Sequence, residues 1–454
     1  MKKLFSTIFL TLLFSSNVQA VSLEEALSNS YNHHEDFKSK RVEFIDSLEK
    51  FPRALSSFIP NINAGAEYSK SKTKRHNPNT GNPEIPRSIE RANYSKSVTL
   101  DQSIFEGFGG VAGLRSAQAA FRASRAEYYA NEQSIMQKVI ETYINLVETK
   151  ERYNIATISV NANKTQLDAV QEKFYVGEAT ETDLASMRQA MASAEARQAG
   201  ALSSFESAKS EFMRVFNMEP TDVKMPEVPQ DLPKSLEELH AKALSINPSL
   251  EAARHRVSSL KADEYKAKAE ILPKVRLRLQ GSHDYPNNPA GQNNSNTYNV
   301  ASVVSVSVPI LSKGGAEYSD IRHAKNQKRR AAIELDSITR QLDSNSKSSW
   351  LGFSASKTRA NAASEAVKAA EVAYEGMIQE ESLGSKTILD VLQAQERLNK
   401  VREEEIAAKK DLVLAAYQMK SLTGHLTAKG MKLKVKYFEP EQEFKKIKTK
   451  VIGF

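Results

Sequence analysis

Leu184, Met187, Met191, Ala194, Gln198, Ala201, Phe205, Ala208, Phe212 and Val215 follow one another in alternating steps of three and four residues. Val391, Ala394, Leu398, Val401, Glu405, Ala408, Leu412, Ala415, Met419 and Leu422 do the same. Such spacing puts every position on one face of an α-helix and draws a coiled-coil seam. Each run is apolar at nine of its ten positions, and the polar exception, Gln198 or Glu405, stands fifth in both. Ahead of each run comes Gly-x-x-Thr-x-x-Asp: Gly177, Thr180 and Asp183 in the first, Gly384, Thr387 and Asp390 in the second. A seam, its flaw and its start signal that match together indicate an internal duplication of helical hairpins. Phe205 and Leu412, mid-seam, are expected to be buried between helices.

The rest of the chain repeats in the same order. Residues 23–59 read as helix, opening at Ser22 with Glu25 three residues on, a capping box. From Asn61 the period drops to two, with Ile62, Ala64, Ala66 and Tyr68 in alternation. Residues 71–92, with Pro78, Gly81, Pro83 and Pro86, read as a long loop, and Tyr94, Val98 and Leu100 mark a second strand. The glycines between Gly107 and Gly110 end it. A helical pattern then runs from Val111 to about Val176, on the order of 100 Å at ~1.5 Å per residue. In the second half, residues 235–272 are helical with a restart at Asn247-Pro248. Val275, Leu277 and Leu279 alternate with Arg276, Arg278 and Gln280; residues 285–297 form a loop; Tyr298, Val300, Val304, Val306 and Val308 form a strand stopped by Pro309. Gly314-Gly315 opens another very long helix that reaches about Ser382. Tyr143 and Leu146 correspond to Trp350 and Phe353. The organisation expected is a first repeat over 21–217, a proline-marked linker over 218–234, a second repeat over 235–424 and a basic tail over 425–454.

Composition narrows this. Aromatic residues make up 7 % and Ala and Ser are abundant, which suits long helices packed through small side chains better than a large globular core. Lys2 and Lys3, an apolar run and Val18-Gln19-Ala20 read as a signal peptide over 1–20, so the mature chain is expected outside the cytoplasm. Cysteine is absent, which excludes disulfides. No later stretch approaches a transmembrane helix, so any membrane crossing falls to strands. The net charge of +8 is spread over helix faces among Glu residues, without a nucleic-acid motif. Gly107-x-Gly109-x-x-Ala112 matches a dinucleotide fingerprint in spacing, but the following helix is far too long for that fold, and a structural corner is the reading preferred. His33-His34 and the other histidines have no ligand spacing, and no catalytic constellation is discernible. Neither enzyme activity nor a cofactor nor a bound metal is expected.

Four strands cannot close a barrel, and strands in a membrane cannot leave their edges unpaired. Several chains must share one barrel; three would give twelve strands, an allowed even number, whereas two would give a barrel too tight for an open bore. The fold class expected is therefore mainly α with a small β part: two repeats of coiled-coil hairpins plus four strands per chain in a trimeric barrel.

The corner Phe105-Glu106-Gly107-Phe108-Gly109-Gly110, its partner Val308-Pro309-Ile310-Leu311-Ser312-Lys313-Gly314-Gly315, and the run Gly384-Ser385-Lys386-Thr387-Ile388-Leu389-Asp390-Val391-Leu392 resemble the TolC family of outer-membrane exit ducts, over roughly residues 23–424. The resemblance implies a homotrimer in outer-membrane lipid, with an α-helical tunnel descending across the periplasm to a tapered aperture. It implies docking to a periplasmic adaptor and to an inner-membrane pump of the RND or ABC kind, which selects drugs or secreted proteins as cargo. It also implies that the two Gly-x-x-Thr-x-x-Asp turns lie at the periplasmic tip, where Val176, Gly177, Leu383 and Gly384 would meet the adaptor. Thr182 and Asp183 would face Glu381 and Lys386 of the same or a neighbouring chain there; Lys386 keeps a basic position that helps hold the closed state, while Glu381 replaces a tyrosine and would repel Asp183. Asp390 would line the aperture, with Gln393 where some members carry a second acid. The competing reading from the residues alone is a periplasmic or secreted coiled-coil spacer, for which four alternating strands have no use.

Overall fold

The computed structural model describes residues 21–75, 87–287 and 295–450. The expected signal peptide and the middles of the two expected loops lie outside these. The chain runs through helices α1 (Leu23–His33), α2 (Glu35–Leu48) and α3 (Lys50–Leu55) into strands β1 (Asn61–Arg75) and β2 (Arg87–Glu106). Helices α4 (Gly109–Tyr175), α5 (Glu181–Phe216), α6 (Leu236–Ile246) and α7 (Pro248–Ala269) follow, then strands β3 (Lys274–Pro286) and β4 (Thr297–Ser307). Helices α8 (Ala316–Ser382), α9 (Ile388–Leu422) and α10 (Pro440–Ile447) complete it. The two long helices α4 and α8 have 67 residues each. No helix among the described residues is long and apolar enough to cross a membrane.

Two expectations need correction. The helix foreseen over 23–59 is broken at His34, whose extended backbone ends α1 and whose Nδ1 accepts the Asp36 N–H at 3.1 Å. The strands also run deeper into the first loop than expected, with Arg75 paired to Arg87. Their outer ends are polar on both faces, as at Lys72 and Glu90, whose ion pair spans 2.9 Å, so no hydrophobic alternation betrays them.

The four strands form one antiparallel sheet in the order β1-β2-β3-β4, which leaves β1 and β4 as edges. The register aligns Ile62, Leu100 and Leu279, then Ala64, Val98, Gly281 and Val300, then Tyr68, Tyr94 and Tyr285. These rungs share one face, because side chains two apart on a strand point the same way. Apart from Ser302 and the rung of Ala66, Lys96, His283 and Tyr298, that face is apolar yet open to solvent, Val300 being 92 % exposed. The opposite face carries Asn63, Thr99, Gln280 and, one rung on, Asp101 bonded to Arg278 at 2.7 Å. Where β2 passes into α4, Gly107 has a φ of +58°, and a Cβ there would lie 2.6 Å from the Leu272 Cβ. Gly107→Ala is expected to cost about 1–3 kcal/mol through backbone strain and clash, measured as a lower midpoint of thermal unfolding.

The described residues divide into two compact units: 21–41, 129–248 and 340–438 in one, the remainder in the other. The first is centred on Tyr143, Phe212 and Phe216, with Leu426, Ala428 and Leu433 of the tail buried among the same residues. The Tyr143 hydroxyl donates towards the Val21 and Lys224 carbonyls at 2.8 and 3.2 Å, tying the start of the described chain and the proline-marked segment to α4. In the second unit Phe444 of α10 stacks on Phe121 at 3.9 Å and meets Phe51 edge-on, so part of the basic tail is a packed element.

All twenty seam positions are buried or half-buried. Phe205 is half-buried and stacks on Tyr153 at 6.1 Å, while Leu412 is only half-buried in the single chain. In α9 the adjoining residues Val413, Ala416 and Tyr417 are buried together with the seam residues Val391, Leu398, Ala408 and Met419, so the buried face there is wider than the seam. The shared polar seam positions serve different ends: Gln198 donates to the Thr157 hydroxyl at 3.1 Å, and Glu405 pairs with Lys409 along its own helix at 2.8 Å.

Candidate functional site

The turns that join α4 to α5 and α8 to α9 are built alike. After α4, Gly177 takes a φ of +82° and the Glu178 N–H reaches back to the Lys173 carbonyl at 2.8 Å; after α8, Gly384 takes +74° and the Ser385 N–H reaches the Glu380 carbonyl at 3.0 Å. Both are left-handed helix stops of the kind glycine serves best. Three residues on, Thr180 accepts the Asp183 N–H at 3.1 Å and Asp183 accepts the Thr180 N–H at 3.0 Å; Thr387 and Asp390 do the same at 3.3 and 2.9 Å. Each pair is a capping box with Asp in the return position, so the motif Gly-x-x-Thr-x-x-Asp is a stop followed by a start.

The caps hold both carboxyls below their ordinary pKa. For Asp183 the Thr180 hydroxyl dominates, followed by the Thr180 N–H. For Asp390 the Thr387 N–H leads, then its hydroxyl, with the Lys386 ammonium adding to the same effect. A lowered folded pKa means that this part of the stability is present above the ordinary value of 3.8 and fades as pH falls through the folded value.

Within the single chain Glu381 pairs with Lys173 and not with Asp183. Its carboxylate lies 2.8 Å from the Lys173 ammonium, joining the last turn of α4 to the last turn of α8. A carboxylate at a helix C-terminus is set against the helix dipole, so Lys173 offsets an unfavourable placement of Glu381. Lys386 is exposed and makes no hydrogen bond or ion pair among the described residues; the single chain does not bring it to Thr182 or Asp183. The Thr182 carbonyl accepts from Ser186 at 2.8 Å, and Gln393 is exposed. Val176 and Leu383, beside the two glycines, are 69 % and 83 % exposed. Just above the turns Val170, Leu184, Met187 and Leu392 form a small apolar cluster that joins α4, α5 and α9. Lys173 was not foreseen from the sequence. The available signal was weak: a lone cation one turn before Gly177, matched by acids one turn before Gly384.

Among the described residues no group of His, Cys, Asp or Glu is arranged to hold a metal ion. A helical turn with capped acids, exposed apolar tips and an inter-helix ion pair can bind another surface and can be held or released by charge.

Comparison with known proteins agrees along almost the whole length. The outer membrane efflux protein BepC of Brucella suis biovar 1 is 25 % identical over 443 residues, covering 98 % of this chain and 94 % of its own. Outer membrane protein TolC of Escherichia coli is 23 % identical, covering 92 % and 85 %. The crystal structure of the Campylobacter jejuni CmeC outer membrane channel superposes with a TM-score of 0.77 at 16 % identity, covering 94 % of this chain and 89 % of that one. The family model described as "Outer membrane efflux protein" matches residues 27–215 and again 239–425, once for each run of strands, long helix and capped turn, and the chain belongs to that family.

Proposed function

We propose that this chain is one subunit of a trimeric duct in the outer membrane, the exit stage of a tripartite efflux pump or type I secretion system. The sheet carries the reading. It has one apolar exposed face, one polar face and two open edges, and it runs directly into helices of 67 residues. Strands so arranged satisfy their backbone in lipid only when copies of the sheet close on one another, with the polar faces around a bore. Exposed apolar side chains on α8, Ile333, Leu351 and Val372 among them, suit burial against neighbouring copies. A coiled-coil spacer has no need of such a sheet.

Conduction through the duct is passive, and opening is left to partners. Val176, Gly177, Leu383 and Gly384 are the contact for a periplasmic adaptor, which couples the duct to an inner-membrane RND or ABC transporter. Thr182, Asp183, Glu381, Lys386, Asp390 and Gln393 surround the aperture, with Lys386 pairing to Thr182 or Asp183 of a neighbouring copy when closed. The test is reconstitution in planar bilayers with native mass spectrometry. Trimers that insert and conduct support the reading; a stable monomer, or a trimer that never inserts, sinks it.

Three copies of Asp390 around a narrow pore raise the local cation concentration through their summed field. Asp390→Asn is expected to lower cation preference and weaken block by multivalent cations while the trimer persists. Recordings at low salt, where screening is least, check this. Unchanged selectivity would leave Asp390 as a helix cap alone.

A further inference from the structure

The apolar face of the sheet changes character near the ends of the strands remote from α4 and α8. There Ala66, Lys96, His283 and Tyr298 form one rung, and Tyr68, Tyr94 and Tyr285 the next. Aromatic side chains at this level are what a membrane interface selects. A lysine on the same outward face is not explained by the interface alone. The Lys96 ammonium stands 5.5 Å from the Tyr94 ring centre and 5.7 Å from that of Tyr285, and it has no carboxylate partner among the described residues. His283 lies 3.7 Å from both the Tyr285 and Tyr298 rings, and its Nε2 is buried without a hydrogen-bond partner.

Lys96 and His283 help to line a hollow of about 730 Å³. Its floor is made of small residues, Ala64, Ala66 and Gly281, and its flanks of Val98, Val300 and Tyr298. An open apolar trough leading towards aromatic rings and an unneutralised ammonium has the chemistry of an amphiphile: an acyl chain along the floor and an anion at the end. One rung beyond the tyrosines the face turns basic, Lys70 and Lys72 sharing the single carboxylate of Glu90 at 3.8 and 2.9 Å. The charge beyond the belt therefore also favours an anion.

We propose that this patch is a site for one lipid of the outer leaflet with a phosphorylated headgroup, its phosphate held by Lys96 beside the His283, Tyr285 and Tyr298 rings and an acyl chain seated over Ala64, Ala66 and Gly281. The proposal rests on the duct reading, which sets this end of the strands at the outer leaflet. Lys96 suits the task because its aliphatic stem lies along apolar surface while the ammonium reaches the headgroup level, and the tyrosine faces hold the cation in place.

The experiment uses the full-length trimer and native mass spectrometry. The probes are diphosphorylated lipid A, the same lipid with its phosphates removed, and inorganic phosphate. Wild type is expected to retain the phosphorylated lipid and to release the dephosphorylated one. Lys96→Gln should lower retention about tenfold, the size of one charge-assisted hydrogen bond, and Lys96→Arg should restore it. Gly281→Leu, at a position where an added Cβ meets nothing within 4 Å, should fill the trough and also lower retention. Equal retention by Lys96→Gln, equal binding of the dephosphorylated lipid, or displacement by millimolar inorganic phosphate would each overturn the site. Conductance in bilayers is recorded alongside. A wild type that forms no channel sinks the duct reading and this site with it, whereas a conducting trimer that retains both lipids equally sinks the site alone.

Discussion

Charge reversal at Lys173 is expected to raise the resting conductance of the duct about tenfold. Lys173→Glu turns an ion pair of 2.8 Å between α4 and α8 into a contact between two carboxylates. Both side chains are partly exposed, so each copy contributes on the order of 0.5 kcal/mol, near the middle of the range for surface pairs. Three copies acting on one aperture give about 1.5 kcal/mol, which is a tenfold shift in the ratio of open to closed. Single-channel recording measures it, and the exchange Lys173→Glu with Glu381→Lys should return the conductance to that of wild type. If the single reversal leaves conductance unchanged while trimers stay intact, the pair is a surface contact and holds no gate. If the exchange fails to restore it, the sign of the charge is not what matters.

A second large effect is expected from Phe212→Ala. Phe212 is fully buried, 4.3 Å from the Phe216 ring and 6.2 Å from Tyr143, whose hydroxyl in turn holds Val21 and Lys224. Truncation leaves a cavity at the centre of the first unit and costs about 3–5 kcal/mol. Urea unfolding followed by far-ultraviolet circular dichroism should show the midpoint falling with little change in slope. A loss under about 1 kcal/mol would mean that the surrounding rings collapse into the space. Phe212 is the position to test, in preference to Leu412, because the latter reaches only half burial within one chain.

Most of what local periodicity and backbone chemistry govern was legible in the sequence alone, the break at His34 excepted. The step of three and four residues set the helices, and the two long ones end within a residue or two of the positions expected from Val176 and Ser382. Alternation set the apolar cores of all four strands. Gly177 and Gly384 with their Thr-Asp partners set the turns, since a left-handed stop and a capping box are decided within seven residues. The duplication made each half a check on the other.

Tertiary structure decided what depends on groups distant in the chain. The polar outer ends of β1 and β2 extend the ladder through pairing across the strands, Lys72 with Glu90 among it, an energy that no single-strand pattern records. Within one chain Glu381 finds Lys173, a partner that spacing along either helix does not reveal, because crossing helices choose neighbours by where they pass. Lys96 and His283 are far apart in sequence and each unremarkable there; the register of β2 on β3 puts them on one rung beside the tyrosines. The seam shows the same division. Its period is local and was legible in Leu184 and Val391 alike, but that Val413 is buried while Leu412 is only half-buried depends on the neighbours that α9 packs against, and no spacing along one helix names them.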